Sequence, residues 1–185
     1  SDIELLSSQV ERCNQILKKL SLNPNEEDDF IDEDLSMRDY LKEIILSFKE
    51  TSKNDLILNF DQDFNSKRIT KSIEIVYGLR NFIGNANKFC KNKVFISLKS
   101  NSDFTMVAIE DDGDGYPSDI LSKIGEPYLS SNKDLNKEKK GLGLGLFIGK
   151  TLLEKNFASV NCSNSETRSG AEVVIKWNNK DLFNL

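Results

Sequence analysis

The chain has 185 residues, 38% of them hydrophobic and 30% charged, and 25 basic against 30 acidic side chains leave a formal net charge of −5. This composition describes a globular domain that can bury a substantial core, and it offers no basic face suited to nucleic acid. With no histidine, the chain excludes a Ser-His-Asp triad, histidine metal ligands and a histidine general base. No apolar run approaches the roughly 20 residues of a membrane span. Cys13, Cys90 and Cys162 are widely spaced and odd in number, which leads to the expectation of a soluble protein in a reducing, cytoplasmic compartment.

From Ile3 to Leu20 the apolar residues fall at 3, 6, 10, 13, 17 and 20, the three- and four-residue steps of a coiled-coil-like helix. Cys13 lies on its seam. The acidic stretch "SLNPNEEDDFIDEDL" lacks periodicity and reads as a linker. Ser36 with Asp39 three residues on predicts a capping box, followed by a helix whose apolar face is Tyr40, Leu41, Ile44, Ile45 and Phe48. "LILNF" from Leu56 reads as a strand, and a longer helix is expected from about Ser72 to Lys91. "VFISL" and "FTMVAIE" alternate and should pair through the turn "KSNSD". A short helix from Ser118 to Lys123, a lysine-rich stretch to Lys140, a helix from Leu144 to Lys155 and strands over Ala158–Ser163 and Ala171–Trp177 complete the chain. One mixed sheet with helices on one face, an α+β two-layer sandwich, is the economical architecture.

Three segments carry polar groups suited to chemistry. In "LRNFIGNANKF", Asn81, Asn85 and Lys88 share one stripe of the helix, and two amides with an ammonium can hold a metal and a polyphosphate; the competing reading is a solvated helix face. "AIEDDGDGYP" places Asp111 at a strand end, where its carboxylate can accept from the exocyclic amine of adenine, with Gly113 and Gly115 allowing close approach. A calcium loop starting at Glu110 fails because Leu121 occupies the twelfth position, whereas an acidic hairpin turn stays open. "GLGLGL", Gly141 to Leu146, opens a helix and exposes backbone donors suited to phosphate. It is neither a P-loop, being one residue short between Gly145 and Gly149, nor a dinucleotide fingerprint, because Leu146 stands at the third glycine.

Taken in order, the asparagine helix, the Asp-x-Gly-x-Gly loop, "GEPYLSS" and the Gly-x-Gly-x-Gly helix start resemble the ATP-binding domain of sensor histidine kinases, which has the Bergerat fold shared with gyrase, the MutL-type ATPases and the heat-shock chaperone ATPase. "SSQVERCNQIL", "GLGLGLFIGKTLLE" and "IKW" are similar in particular to RegB/PrrB-type redox-responsive kinases. The resemblance implies a partial dimerisation and phosphoacceptor hairpin at 1–22, a linker at 23–35 and an ATP-binding catalytic domain at 36–180. It further implies ATP and Mg2+ as ligands. Asn85 would be the metal ligand, Lys88 would meet the phosphates, Asp111 would recognise adenine, and Gly113, Gly115 and Tyr116 would shape its pocket. Ser130 and Ser131 would lie in a lid over residues 125–140, and Gly141, Leu142, Gly143, Leu144, Gly145 and Leu146 would embrace the triphosphate. Asp112 replaces the family's usual Asn, and Tyr128-Leu129 its usual aromatic pair.

Asn81 takes the catalytic position at which hydrolytic members of the wider group carry a glutamate. An amide is no general base at neutral pH, so transfer to an external nucleophile is favoured over hydrolysis. The resemblance implies a histidine acceptor absent from this sequence, a response regulator as the onward partner, a homodimer in the full-length protein, no nucleic-acid partner, and membrane attachment only through upstream sequence. The alternatives are an anti-sigma-factor-type serine kinase and a non-catalytic ATP-binding interaction module. Cys13 is either a redox-responsive thiol, as the resemblance implies, or a small buried hydrophobe.

Overall fold

The structure is a computed structural model that describes residues 35–49, 51–61, 68–69, 72–124, 126 and 144–183. The helix expected over 3–20 with Cys13, the expected linker up to residue 34, Ser130, Ser131, Gly141, Leu142 and Gly143 lie outside the described residues, whereas Leu35, the last residue of that linker, is in a strand paired with Ile69. The chain divides into two compact units, Ser1–Asp32 and Glu33–Leu185, and the described residues all belong to the second.

In chain order the elements are β1 (Leu35–Ser36), α1 (Met37–Lys49), β2 (Asp55–Phe60), β3 (Arg68–Ile69), α2 (Ile73–Phe89), β4 (Lys93–Ser100), β5 (Phe104–Asp111), α3 (Ser118–Leu121), α4 (Leu144–Lys155), β6 (Ser159–Asn164), β7 (Ala171–Asn178) and α5 (Asn179–Leu182). Five strands form one sheet in the order β2-β4-β5-β7-β6, parallel at β2–β4 and antiparallel elsewhere. The expected mixed sheet is present, and the expected β4–β5 pair is joined by residues 101–103 alone, because Lys99 and Ser100 of "KSNSD" belong to β4 and pair with Met106 and Thr105. The small β1–β3 pairing and α5 were not anticipated. Several boundaries are corrected: α2 ends at Phe89, α3 at Leu121, β6 runs one residue later than expected, and β4 and β7 extend beyond the expected segments, to Ser100 and Asn178.

Strand side chains alternate between two faces, so register decides what is buried. Val94, Ile96 and Leu98 on β4 lie opposite Asp111, Ile109 and Val107 on β5; Ile109 and Val107 in turn lie opposite Val173 and Ile175 on β7, where Trp177 continues the same face. All nine are buried on the face covered by the helices. α2 meets this face with Ile75, Leu79, Phe82, Ile83 and Ala86, an i, i+4, i+7 stripe. Burial of each large side chain there contributes about 1.5–3 kcal/mol. Ser72 caps α2 by accepting the Ile75 N–H at 3.3 Å. At α1, Ser36 Oγ accepts the Asp39 N–H at 3.3 Å as foreseen, while its hydroxyl donates to the Asp39 carboxylate at 2.5 Å.

α2 and α4 pack against each other through two glycines. A Cβ on Gly78 would lie 2.5 Å from Leu153 Cγ, and one on Gly149 would lie 3.0 Å from Phe82 Cε2 and 3.1 Å from Asn81 Cβ. Their far ends are fastened by Asn156, whose amide donates to Glu74 at 3.1 Å and accepts from the Ser72 hydroxyl at 3.2 Å, while its carbonyl accepts from buried Trp177 Nε1 at 3.2 Å. Lys155 adds an ion pair to Glu74 at 2.9 Å. α4 closes in a Schellman arrangement, with the Ala158 N–H on Leu153 O and the Phe157 N–H on Glu154 O. Phe157 holds the left-handed position there, at φ 63°, where glycine is usual.

Candidate functional site

Three segments flagged in the sequence meet along α2. At its middle, Asn81 donates through Nδ2 to Tyr77 O at 2.9 Å. That bond leaves Oδ1 facing the first turn of α4, where a Cβ on Gly145 would sit 3.7 Å away. Asn85 follows one turn later, half-buried, its side-chain amide without a hydrogen bond to another described residue. Lys88 is exposed, its ammonium 5.2 Å from the centre of the Phe89 ring. At the C-terminal end, a Cβ on Gly113 would lie 2.5 Å from Phe89 O, so only a glycine lets the loop after β5 rest on the end of α2. The helix start containing Leu144, Gly145 and Leu146 therefore borders one part of α2 and the Asp111 loop another, with Asn85 between them. Leu144 and Leu146 are half-buried, and Gly145 is exposed.

Asp111 ends β5 on the helix-facing side and is 3% exposed. Its Oδ1 accepts the Gly113 N–H at 2.8 Å and the Ala171 N–H at 3.2 Å. Burial pushes its pKa up, the two N–H donors pull it down, and the charges of Asp112 and Asp114 add to the rise, so the net shift is upward. Oδ2 has no hydrogen-bond partner among the described residues, and so is available to accept from a ligand. Gly170 packs so closely on the main-chain and side-chain oxygens of Asp111 that a Cβ could not be accommodated. The contribution of Gly170 and Ala171 was missed in the sequence; the turn-forming "TRSG" was the available signal, but nothing local ties it to residue 111.

The other acids of the loop diverge. Asp112 accepts the N–H groups of Lys91, Asn92 and Lys93 at 2.8, 3.0 and 3.1 Å and so closes the turn between α2 and β4. Slight burial raises its pKa, but these donors outweigh it and leave the carboxyl lowered. Asp114 pairs with Lys91 at 2.7 Å, and Glu110 turns to the open sheet face, where it meets Ser165 and Arg168. Among the described residues no three acids or thiols gather around one point. The chain after Asp111 leads to α3 rather than back along β5, so it makes no hairpin turn. Gly115 adopts φ 76°, and Tyr116 follows with its main chain tied to Asn164. Burial raises the Tyr116 pKa, so the phenol is neutral. Burial likewise pushes the Cys162 thiol up to about 11.

Residues 70–181 match the family described as histidine kinase-, DNA gyrase B-, and HSP90-like ATPase, and the chain belongs to that family. Among curated relatives, sensor histidine kinase RegB of Cereibacter sphaeroides is 31% identical over 95% of this chain. The alignment takes in 42% of that relative, so the chain spans less than half of its length. Among solved structures, the catalytic domain of histidine kinase ThkA superposes with a TM-score of 0.64 at 20% identity, covering 79% of this chain and 96% of that one. Full-length ShkA, solved in complex with AMPPNP, gives a TM-score of 0.65 at 19% identity over 78% of this chain and 30% of its own. The fold is the one shared by histidine kinase catalytic domains.

Proposed function

We propose that this chain is the ATP-binding catalytic portion of a two-component sensor histidine kinase, and that it transfers the γ-phosphoryl group of ATP to a histidine outside this sequence for relay to a response regulator. The observation that carries the reading is Asp111: a buried carboxylate, held through one oxygen by two backbone donors, in a loop that packs on the same helix as Asn81 and Asn85. An acceptor so held suits an exocyclic amine, because a buried polar site rejects a base that lacks the matching donor.

In this reading the base is held at Asp111, with Gly113, Gly115 and Tyr116 around it. The phosphates lie toward Asn85, Lys88 and the donor-rich start of α4, whose dipole favours negative charge. The family reading also assigns Ser130, Ser131, Gly141, Leu142 and Gly143 to the nucleotide. The acceptor imidazole nitrogen bonds to the γ-phosphorus as the bond to the β–γ bridging oxygen breaks; ADP leaves and the imidazole proton passes to solvent. Asn81, without a base, positions groups and does not activate water. The sparse protein donor set fits Mg2+, which takes few protein ligands and completes its shell with phosphate and water. Asn85 would hold it, and when bound it would neutralise phosphate charge. A homodimer in the full-length protein, cytoplasmic placement beneath a membrane anchor, and redox control through Cys13 belong to the same proposal.

Two measurements test it. Titration with a fluorescent ATP analogue is expected to saturate with magnesium, and Asp111→Asn to weaken binding at least tenfold. Addition of a fragment bearing the phosphoacceptor helix of the same kinase is expected to yield acid-labile phosphate on that fragment. Transfer to a serine, or equal binding by the variant, would overturn the assignment.

A further inference from the structure

The loop that carries the base-recognition residues is held from the far edge of the sheet. Asn164, exposed at the end of edge strand β6 and 48 residues from Tyr116 in sequence, uses both ends of its amide on one residue. Its Oδ1 accepts the Tyr116 N–H at 2.6 Å, and its Nδ2 donates to Tyr116 O at 3.0 Å. The side chain thus does what a paired strand would do, fixing one residue through donor and acceptor together. Gly115 lies directly on this amide, where a Cβ would come within 2.8 Å of Oδ1, and its φ of 76° suits glycine.

The clamp matters because of what precedes it. Three residues before Tyr116, the Gly113 N–H is one of the two donors on Asp111 Oδ1. We infer that Asn164 is a positioning residue for purine recognition: by clamping Tyr116 it keeps Gly113 on Asp111 and so fixes the aim of the carboxylate oxygen left for the base. This inference rests on the assignment of Asp111 to the exocyclic amine. It adds a residue that acts through the Tyr116 main chain.

The test compares ATP, ITP and inorganic tripolyphosphate by calorimetric titration of the intact chain. ITP lacks the exocyclic amine, and tripolyphosphate lacks the base. Asn164→Ala removes two hydrogen bonds from an exposed position, and the expected result is roughly tenfold weaker ATP binding with a similar fall in the ATP-over-ITP preference. Tripolyphosphate affinity should stay unchanged. Asn164→Asp keeps the acceptor and loses the donor, so it should fall between the two. An ATP-over-ITP ratio unchanged in Asn164→Ala would overturn the inference, as would equal losses for ATP and tripolyphosphate, which would mean general loosening of the fold. If the unaltered chain binds ATP and ITP equally well, the purine role of Asp111 fails and the positioning role fails with it. If it prefers ATP and Asn164→Ala keeps that preference, only the positioning role fails.

Discussion

Asp111 is held at a cost to the fold. Its folded pKa lies above the ordinary carboxylate value, chiefly through burial, so keeping it ionised opposes folding. With that sign, the stability linked to this group is present at low pH and is lost as pH rises through the raised value. Asp111→Asn can still accept from Gly113 and Ala171 through its amide oxygen. The variant should therefore melt at a higher temperature than the unaltered chain at pH 7, with the advantage shrinking toward about pH 4, the usual carboxylate range. Thermal melts of both proteins across that interval check the expectation; a lower midpoint for the variant at pH 7 would refute it. The strand-end position of Asp111 was legible because a strand end, an acid and spaced glycines are local features. The parts played by Asn164, Gly170 and Asn156 were not, since each depends on a partner dozens of residues away.

At the level of the helices, the buried stripe of α2 could be read from residue spacing alone, whereas its pairing with α4 could not. Nothing in the spacing shows that Gly78 faces Leu153, or that Gly149 faces Phe82 and Asn81. Gly78→Ala sets two effects against each other. Alanine in a helix interior gains about 1 kcal/mol over glycine. Against it, the new Cβ would lie 2.5 Å from Leu153 Cγ, a branch-point atom of a side chain with 0% exposure, which cannot swing aside. Overpacking of this kind costs about 1–3 kcal/mol and should prevail. The variant is expected to melt several degrees lower than the unaltered chain, and a raised midpoint would show that the two helices can part.

Over the whole molecule, the antiparallel β4–β5 pair and the one-sided helical layer followed from alternation and a short polar turn. The places of β2 and β6 at opposite edges did not, because strand order depends on long-range pairing that periodicity does not encode. Only the folded Glu33–Leu185 unit brings Asp111 and α2 together, so nucleotide should stabilise that unit by mass action. ATP with magnesium at a hundred times its dissociation constant adds about 2.7 kcal/mol, and at roughly 2–4 °C per kcal/mol for a domain of this size the melting midpoint should rise by about 5–11 °C. A thermal scan with and without the nucleotide would show it, and an unmoved midpoint would count against binding. The fastening of α2 to α4, by glycines at the contact and by Asn156 and Glu74 at the ends, has a mechanical corollary. Asn81 and the first turn of α4 are expected to move as one girder, so if the proposed nucleotide exchange needs a hinge, it should lie at a joint other than the seam between these two helices.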